Sequence, residues 1–452
     1  MATKLLAIYL WILAAGVLVM MARQYARRIH DLLSLRNLFL FGYVHFTLSG
    51  TATALLTGDI SGLTVENLTR TGFKATVMIT VFLIVFLWSY DRGWIAKRLA
   101  NRLPRTSVEP GDVSMLILAA IMTLIAVGLR FGVKIPYIAT IASMAGVGSA
   151  AVACGAVGWV WARRLLNPAM SLYGSIIVAV NILTAITGAF GRRTLVAVLG
   201  GLLWGMYYNH WRYLSLGKVT KRFVFCAVIP VILVALFSSA RNPGEHERTA
   251  MEHIREIART GSLKSGLELL ASGGGGGAGL WAIENYPSQF PYRHMMTIWY
   301  FLVYDVPRAW WPAKPLPLSI LVPIQADVQG VAQGVHTRPA GIIGNAAAEG
   351  GWYALIVYAV VGGLFLRFFD QLIQDSVTSP FVVLPMGSAL GQSLGLARGE
   401  TAIFANIFVT SAILVWLFML TWAKLIERNQ WMQAEAPDQA NALSSAQPGG
   451  DD

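Results

Sequence analysis

Seven cations in this chain stand where they could hold a phosphate. Arg192, Arg193, Arg241, Arg308, Arg338 and Arg398, together with Lys314, fall in segments that separate apolar runs. A guanidinium is a planar fork that grips phosphate oxygens in pairs and stays charged at any working pH, while lysine adds a point charge. A hydroxyl reacting beside such a group needs a general base, or an acceptor that orients it. His336 is the first candidate, because an imidazole titrates near neutrality and Arg338 follows closely. Glu349, Glu400 and Asp305 are the competing carboxylates, and His294 beside Arg293 is a weaker imidazole. Trp310 and Trp311 stand just after Arg308, and tryptophan settles at membrane–water boundaries. Cations flanked by them suit an anionic lipid headgroup. Each cation also has a plainer use, snorkelling to an interface or pairing locally, and Glu349 would serve equally as a dipole partner at a helix N-terminus. His246 and His253 share a helix face but lack further ligands, so no metal site is expected.

The elements that must position these residues are membrane helices. Of 452 residues, 56% are hydrophobic and 13% charged, against about 25% charged in an ordinary soluble domain. That balance excludes a soluble enzyme, a disordered chain and a fibrous protein. Apolar runs of about 20 residues recur, each long enough to cross a bilayer as a helix. The expected fold is an all-α polytopic membrane protein with about eleven spans. They cover Lys4–Met21, Asn37–Leu56, Phe73–Tyr90, Val113–Phe131, Tyr137–Trp161, Leu172–Phe190, Thr194–Tyr208, Phe223–Ser239, Trp352–Phe369, Phe381–Leu396 and Ala402–Ala423. The seventh and tenth are short and rich in glycine. The organisation is then helices 1–8 over 1–239, a large outer loop over 240–351, helices 9–11 over 352–423 and an inner tail over 424–452.

A net charge of +12 often signals nucleic acid. Here it reads as topology, and no nucleic-acid partner is expected. Lys and Arg favour one set of loops by roughly two to one, which makes those loops cytoplasmic. The C-terminus is then inside, and the N-terminus and the large loop outside, facing the periplasm in a Gram-negative cell. The N-terminus lacks an Ala-x-Ala-like site and is expected to be a retained first helix. Cys154 and Cys226 lie in apolar runs and read as small buried hydrophobes. The tail after Gln430 has almost no apolar content and is expected to be disordered.

The large loop opens with a charged stretch from Glu245 to Leu270 in which Met251, Ile254, Ile257 and Ala258 recur at helical spacing, an amphipathic helix. Gly273 to Gly277 lack the strand before and the Gly-Lys-Ser/Thr after that a phosphate loop needs, so they are expected to be a hinge or linker. The apolar, aromatic stretch from Pro291 to Trp311 is too short to span. With Pro307, Pro312 and Pro315 it reads as an interfacial or re-entrant segment lining a cavity.

Three places carry a resemblance to the O-antigen or repeat-unit polymerase family (Wzy type). Val306-Pro307-Arg308 leading to Trp311-Pro312 and Lys314-Pro315 resembles the family's Ile-Pro-Arg, Trp-Pro, Lys-Pro pattern. Gly341-Ile342-Ile343-Gly344 running into Glu349-Gly350-Gly351-Trp352 is similar to the family's glycine-rich approach to the helix after the large loop. Ala397-Arg398-Gly399-Glu400 looks like its Arg-Gly-acidic turn between the last two spans. The chain departs from the pattern at Asn345, where family members often have Glu; the nearest carboxylate is Glu349. The resemblance implies a GT-C-like membrane glycosyltransferase in the bacterial inner membrane. Its donor and acceptor would both be undecaprenyl-diphosphate-linked oligosaccharides, its site would face the periplasm, and a chain-length regulator would be a possible partner. Such a reaction breaks a sugar C1–diphosphate bond, and the departing charge needs fixed cations or a metal. No Asp-x-Asp pair stands on the outer side, so arginines are expected to do this without a cofactor. An O-antigen ligase would share topology, donor and arginines. A lipid-linked oligosaccharide flippase would predict two related halves and charges along a path through the membrane; no internal repeat is visible in the sequence.

Overall fold

The computed structural model describes residues 1–60, 62–104, 106, 109–133, 135, 138–187, 192–240, 250–271, 276–328 and 337–445, without the side chains of 192, 250, 251, 253, 254, 271 and 429–445. Every regular element among them is helical. In chain order they are α1 (Ala2–Ala26), α2 (Leu35–Thr57, with a π-helical stretch at Tyr43–Ser49), α3 (Leu68–Arg92), α4 (Asp112–Phe131), α5 (Ala139–Arg164), α6 (Pro168–Ile186), α7 (Arg192–Asn209) and α8 (Leu216–Ser239). The large loop holds α9 (Ala250–Thr260), α10 (Leu263–Ala271), α11 (Gly276–Asn285), α12 (Met296–Val303), α13 (Leu318–Gln325) and α14 (Gly341–Gly350). Then come α15 (Trp352–Asp375), α16 (Pro380–Gly387), α17 (Leu390–Gly395) and α18 (Thr401–Ser445). Short helical turns at Trp94–Ala100 and Trp211–Tyr213 join α3 to α4 and α7 to α8.

Among the described residues nine helices are long and apolar enough to cross a membrane: α1 to α6, α8, α15 and the Thr401–Arg428 part of α18. The protein is therefore a helical, multi-pass membrane protein. The expected seventh and tenth spans are not among the nine. α7 opens on two arginines and packs glycine to glycine against α5: a Cβ on Gly158 would fall 2.1 Å from Leu202 O, and one on Gly205 2.0 Å from Gly155 O. Small residues let membrane helices approach this closely. The stretch expected as one span from Phe381 to Leu396 is two short buried helices, α16 and α17, that part at Ser388.

Local sequence explains several helix ends. Ser34, Asn67 and Asn167 accept backbone N–H groups from the first turns of α2, α3 and α6, as N-caps do. Gly58, at φ 72°, ends α2.

Three expectations about the loop and tail change. The single amphipathic helix is two, α9 and α10, which part at Gly261. Of the five glycines expected as a hinge or linker, Gly276 and Gly277 form the first turn of α11, and 273–275 lie outside the described residues. A Cβ on Gly276 would fall 2.4 Å from the Gly50 carbonyl carbon and one on Gly277 2.9 Å from Ile60 O, so the glycines are there to fit α11 against α2 and the chain just after it. The tail beyond Gln430 is helical to Ser445; Ala, Gln and Glu there are good helix formers. The loop segments buried inside the bundle are α11 and α14. The Pro291–Trp311 stretch instead contains α12, which buries Thr297 and Tyr300 and leaves Trp299 and Leu302 exposed. Interior position follows residue size here more than hydropathy.

Candidate functional site

Two buried carboxylates organise the end of the bundle where α14, α17 and α18 meet the loop helices. Glu349 is only 1% exposed. It was expected at the N-terminus of the ninth span. It lies instead in the last turn of α14, and Gly351, at φ 61°, separates it from α15. Its carboxylate accepts the Thr297 N–H and the Thr297 hydroxyl, each at 2.7 Å, and the Tyr358 hydroxyl. Thr297 opens α12, so the negative charge sits at the positive end of that helix. Burial pushes the Glu349 carboxyl up, against the Thr297 and Tyr358 hydrogen bonds and the Arg293 charge.

Glu400, between α17 and α18, is the second carboxylate and is 6% exposed. It accepts the Ser319 N–H at 2.9 Å and so closes the first turn of α13. Burial pushes it up to about 7; the Glu349 charge adds to the rise, and Ser319 and Arg293 oppose it. A carboxyl that titrates near neutral pH can take or give a proton there.

Arg293 acts electrostatically on both carboxylates. Its N–H donates to Ala348 O at 3.0 Å, and its guanidinium to Leu316 O at 2.5 Å. The sequence reading noted Arg293 only as a neighbour of His294. Asn345, one turn before Glu349, is fully buried; its amide reaches Thr401 Oγ1 at 3.5 Å, and its Oδ1 has no partner among the described residues. Asn345 is thus placed beside Glu400 through Thr401.

The other expected residues divide. Arg338 touches the cluster through its backbone: its main-chain N–H donates to Ser319 O at 2.8 Å, while its guanidinium reaches toward Gly62. The Arg193 guanidinium lies 3.9 Å from the centre of the Phe404 ring, one turn into α18. Arg398 lies over Phe46 at 5.2 Å and lines a cavity of about 20 Å³ between α2, α11 and α14, room for one water. Arg308 and Lys314 serve the loop itself. Arg308 is exposed and donates to the carbonyls of Lys314 and Pro315 at 2.7 and 3.1 Å. Lys314 is buried, donates to Tyr304 O and Val306 O at 2.6 and 2.9 Å, and lies over the Tyr300 and Tyr304 rings. Trp310 is exposed and Trp311 half-buried. Asp305 accepts from Asn406 at 3.0 Å. His336 and Arg241 lie outside the described residues, as does the Arg192 side chain.

Sequence reasoning missed Arg293, Thr297, Asn345 and Tyr358 as members of the cluster. Arg293 and Asn345 carried a signal, a charge and an amide in otherwise apolar or small-residue stretches; Thr297 and Tyr358 carried none. Among the described residues no group of three or more His, Cys, Asp or Glu is placed to hold a metal ion. Comparison of the chain with protein-family models, curated proteins and solved structures gives no match.

Proposed function

We propose that this protein is a membrane glycosyltransferase that joins lipid-diphosphate-linked oligosaccharides into a polymer, at the end of the bundle that carries Glu349 and Glu400. One observation supports the reading most: a carboxyl held near neutrality at Glu400 lies within the field of Arg293, at the end where Arg193 and Arg398 also enter. The motif resemblance around Arg308, Gly341 and Arg398 supplies the substrate class, undecaprenyl-diphosphate-linked repeat units. In this reading Glu400 takes the proton of the acceptor hydroxyl as its oxygen bonds to the donor sugar C1. The C1–oxygen bond to diphosphate breaks, and the electron pair leaves with the lipid diphosphate. Arginines that stay charged stabilise that departing charge. Glu349 positions α12 and raises Glu400 through its own charge. The protein would work in the bacterial inner membrane with this end facing the periplasm.

The test is a deletion strain restored with wild type, Glu400→Gln or Arg193→Ala, with surface and lipid-linked glycan resolved by length. Single repeat units in the deletion and in both variants support the reading. Long chains left on the lipid carrier would make the protein a ligase. Units trapped on the inner leaflet would make it a flippase.

A further inference from the structure

A second polar cavity lies at the opposite end of the bundle. It has a volume of about 330 Å³ and is lined by Tyr25, Arg28, His30, Asp31, Arg212 and Tyr213, with Gln374 closing one wall. Gln374 is near the end of α15, and the Glu349 cluster lies just before its start. At 1.5 Å per residue the helix sets the two places more than about 30 Å apart. The volume lies within the range of small-ligand pockets, about 300 to 1,000 Å³.

Its charges do not cancel. Asp31 is matched by Arg212, Nη2 to Oδ2 at 3.1 Å, and also accepts the Tyr207 hydroxyl at 3.2 Å. Arg28 has no carboxylate within ion-pair distance among the described residues. Its guanidinium meets the carbonyls of Arg212, Tyr213 (2.9 Å) and Leu214 (3.2 Å), lies over the Tyr25 ring and also hydrogen-bonds the Tyr25 hydroxyl. Arg28 itself holds a left-handed backbone, φ 59°, just past the end of α1, a position that favours glycine. The His30 ring packs edge-on to Tyr90, and its Nδ1 is buried with no partner among the described residues. Behind the ring stand Arg36 and Arg367, each over the Tyr90 ring. Asp370 faces them and is used up on the N–H groups of Leu35 and Arg36 and the Tyr90 hydroxyl. Asp91 reaches Arg36 only at 3.9 Å.

We infer that this cavity binds a phosphate group, held by Arg28, Arg212 and the His30 imidazole. The cations give the charge, Arg28 and Arg212 offer guanidinium N–H groups, and the His30 ring stands on the cavity wall. The phosphate belongs either to a soluble phosphate ester or to the headgroup of an anionic phospholipid; the recognition chemistry is shared. Burial first, then the charges of Arg36, Arg367 and Lys97, push the His30 imidazole down to about 4. An anion bound beside the ring opposes the part that these charges contribute.

The experiment uses the full chain in phosphatidylcholine nanodiscs with ¹⁵N-labelled histidine, the His30 signal being assigned by its loss in His30→Gln. Inorganic phosphate is expected to raise the His30 titration midpoint by one pH unit or more, saturably. If exchange of phosphatidylcholine for phosphatidylglycerol does the same without added phosphate, the ligand is a lipid headgroup; if only free phosphate does so, it is a soluble ester. Arg28→Gln and Arg212→Gln are expected to weaken the effect at least tenfold. A wild-type midpoint that neither phosphate nor phosphatidylglycerol moves overturns the inference. So does a response that survives unchanged in both arginine variants.

Discussion

The carboxylate of Glu349 and the first turn of the helix at Thr297 form one hydrogen-bonded unit, although 52 residues separate them. Thr297 gives both its N–H and its hydroxyl, each at 2.7 Å. The same device recurs at Ser319 and Glu400. Each carboxylate thus fastens one short loop helix to the membrane bundle. Thr297→Val keeps the N–H bond and removes the hydroxyl bond. It is expected to cost about 1 to 3 kcal/mol, because a buried carboxylate oxygen loses its donor. Denaturant titration of the purified protein measures this; a change below a few tenths would mean the pair does not fasten α12.

The Glu400 carboxyl, raised to about 7 in the folded protein, makes stability depend on pH in a definite direction. An unfolded glutamate titrates near 4.3. Between that value and 7 the folded state holds the extra proton. Stability is full below the unfolded pKa and is lost as pH rises through 7, by an amount on the order of 3 kcal/mol. Melting curves between pH 5 and 8 are expected to fall with pH for wild type and to flatten for Glu400→Gln. If Glu400 accepts the acceptor proton, activity rises over the same interval, opposite to stability. Parallel profiles would argue against that role.

Arg308 and Lys314 belong to one motif but should fail differently. Lys314→Met leaves the Tyr304 and Val306 carbonyls without their donor inside a buried site and is expected to cost about 2 to 4 kcal/mol. Arg308→Ala removes an exposed side chain and is expected to cost about 1 kcal/mol or less. Thermal unfolding in detergent orders the two. Loss of polymer in Arg308→Ala at unchanged stability would give Arg308 a role in the reaction besides closing its loop.

Glycines at the α5–α7 contact are expected to be intolerant. Gly158→Ala and Gly205→Ala each place a methyl about 2 Å from a carbonyl oxygen of the facing helix. Gly16→Ala on α1 meets no atom within 4 Å. The first two should cost more than about 2 kcal/mol, from overpacking against backbone; the third should gain about 0.5 to 1 kcal/mol from helix propensity. Fluorescence-detected size exclusion after heating separates these outcomes.

The nine long apolar helices were legible because a lipid-facing helix declares itself by continuous hydropathy. α7, α16 and α17 were harder, since they pack inside the protein and answer to fit. Gly276 and Gly277 illustrate the point: five glycines in a row read locally as a linker, while the partners that make these two a packing surface, Gly50 and Ile60, lie more than two hundred residues earlier. The cluster was partly legible. Glu349, Glu400 and Arg338 stood out as charges in small-residue or apolar surroundings. Arg293, Thr297 and Tyr358 did not, because their roles arise from contacts across distant stretches. Arg308 and Lys314 drew notice as cations, but their bonds go to carbonyls of their own loop, which no residue type announces.

The seating of α11 against α2 and of α14 against α11 also has a consequence for biogenesis. α2 leaves the ribosome long before α11, and α11 long before α15 brings Tyr358 to Glu349 or the turn before α18 brings Glu400 to Ser319. The groove that receives α11 must stay open while more than two hundred residues are synthesised, and the cluster closes only with the last membrane helix. Chains truncated before Glu400 therefore leave the membrane-insertion machinery with α13 unfastened, a natural point for quality-control proteases to tell finished from unfinished copies.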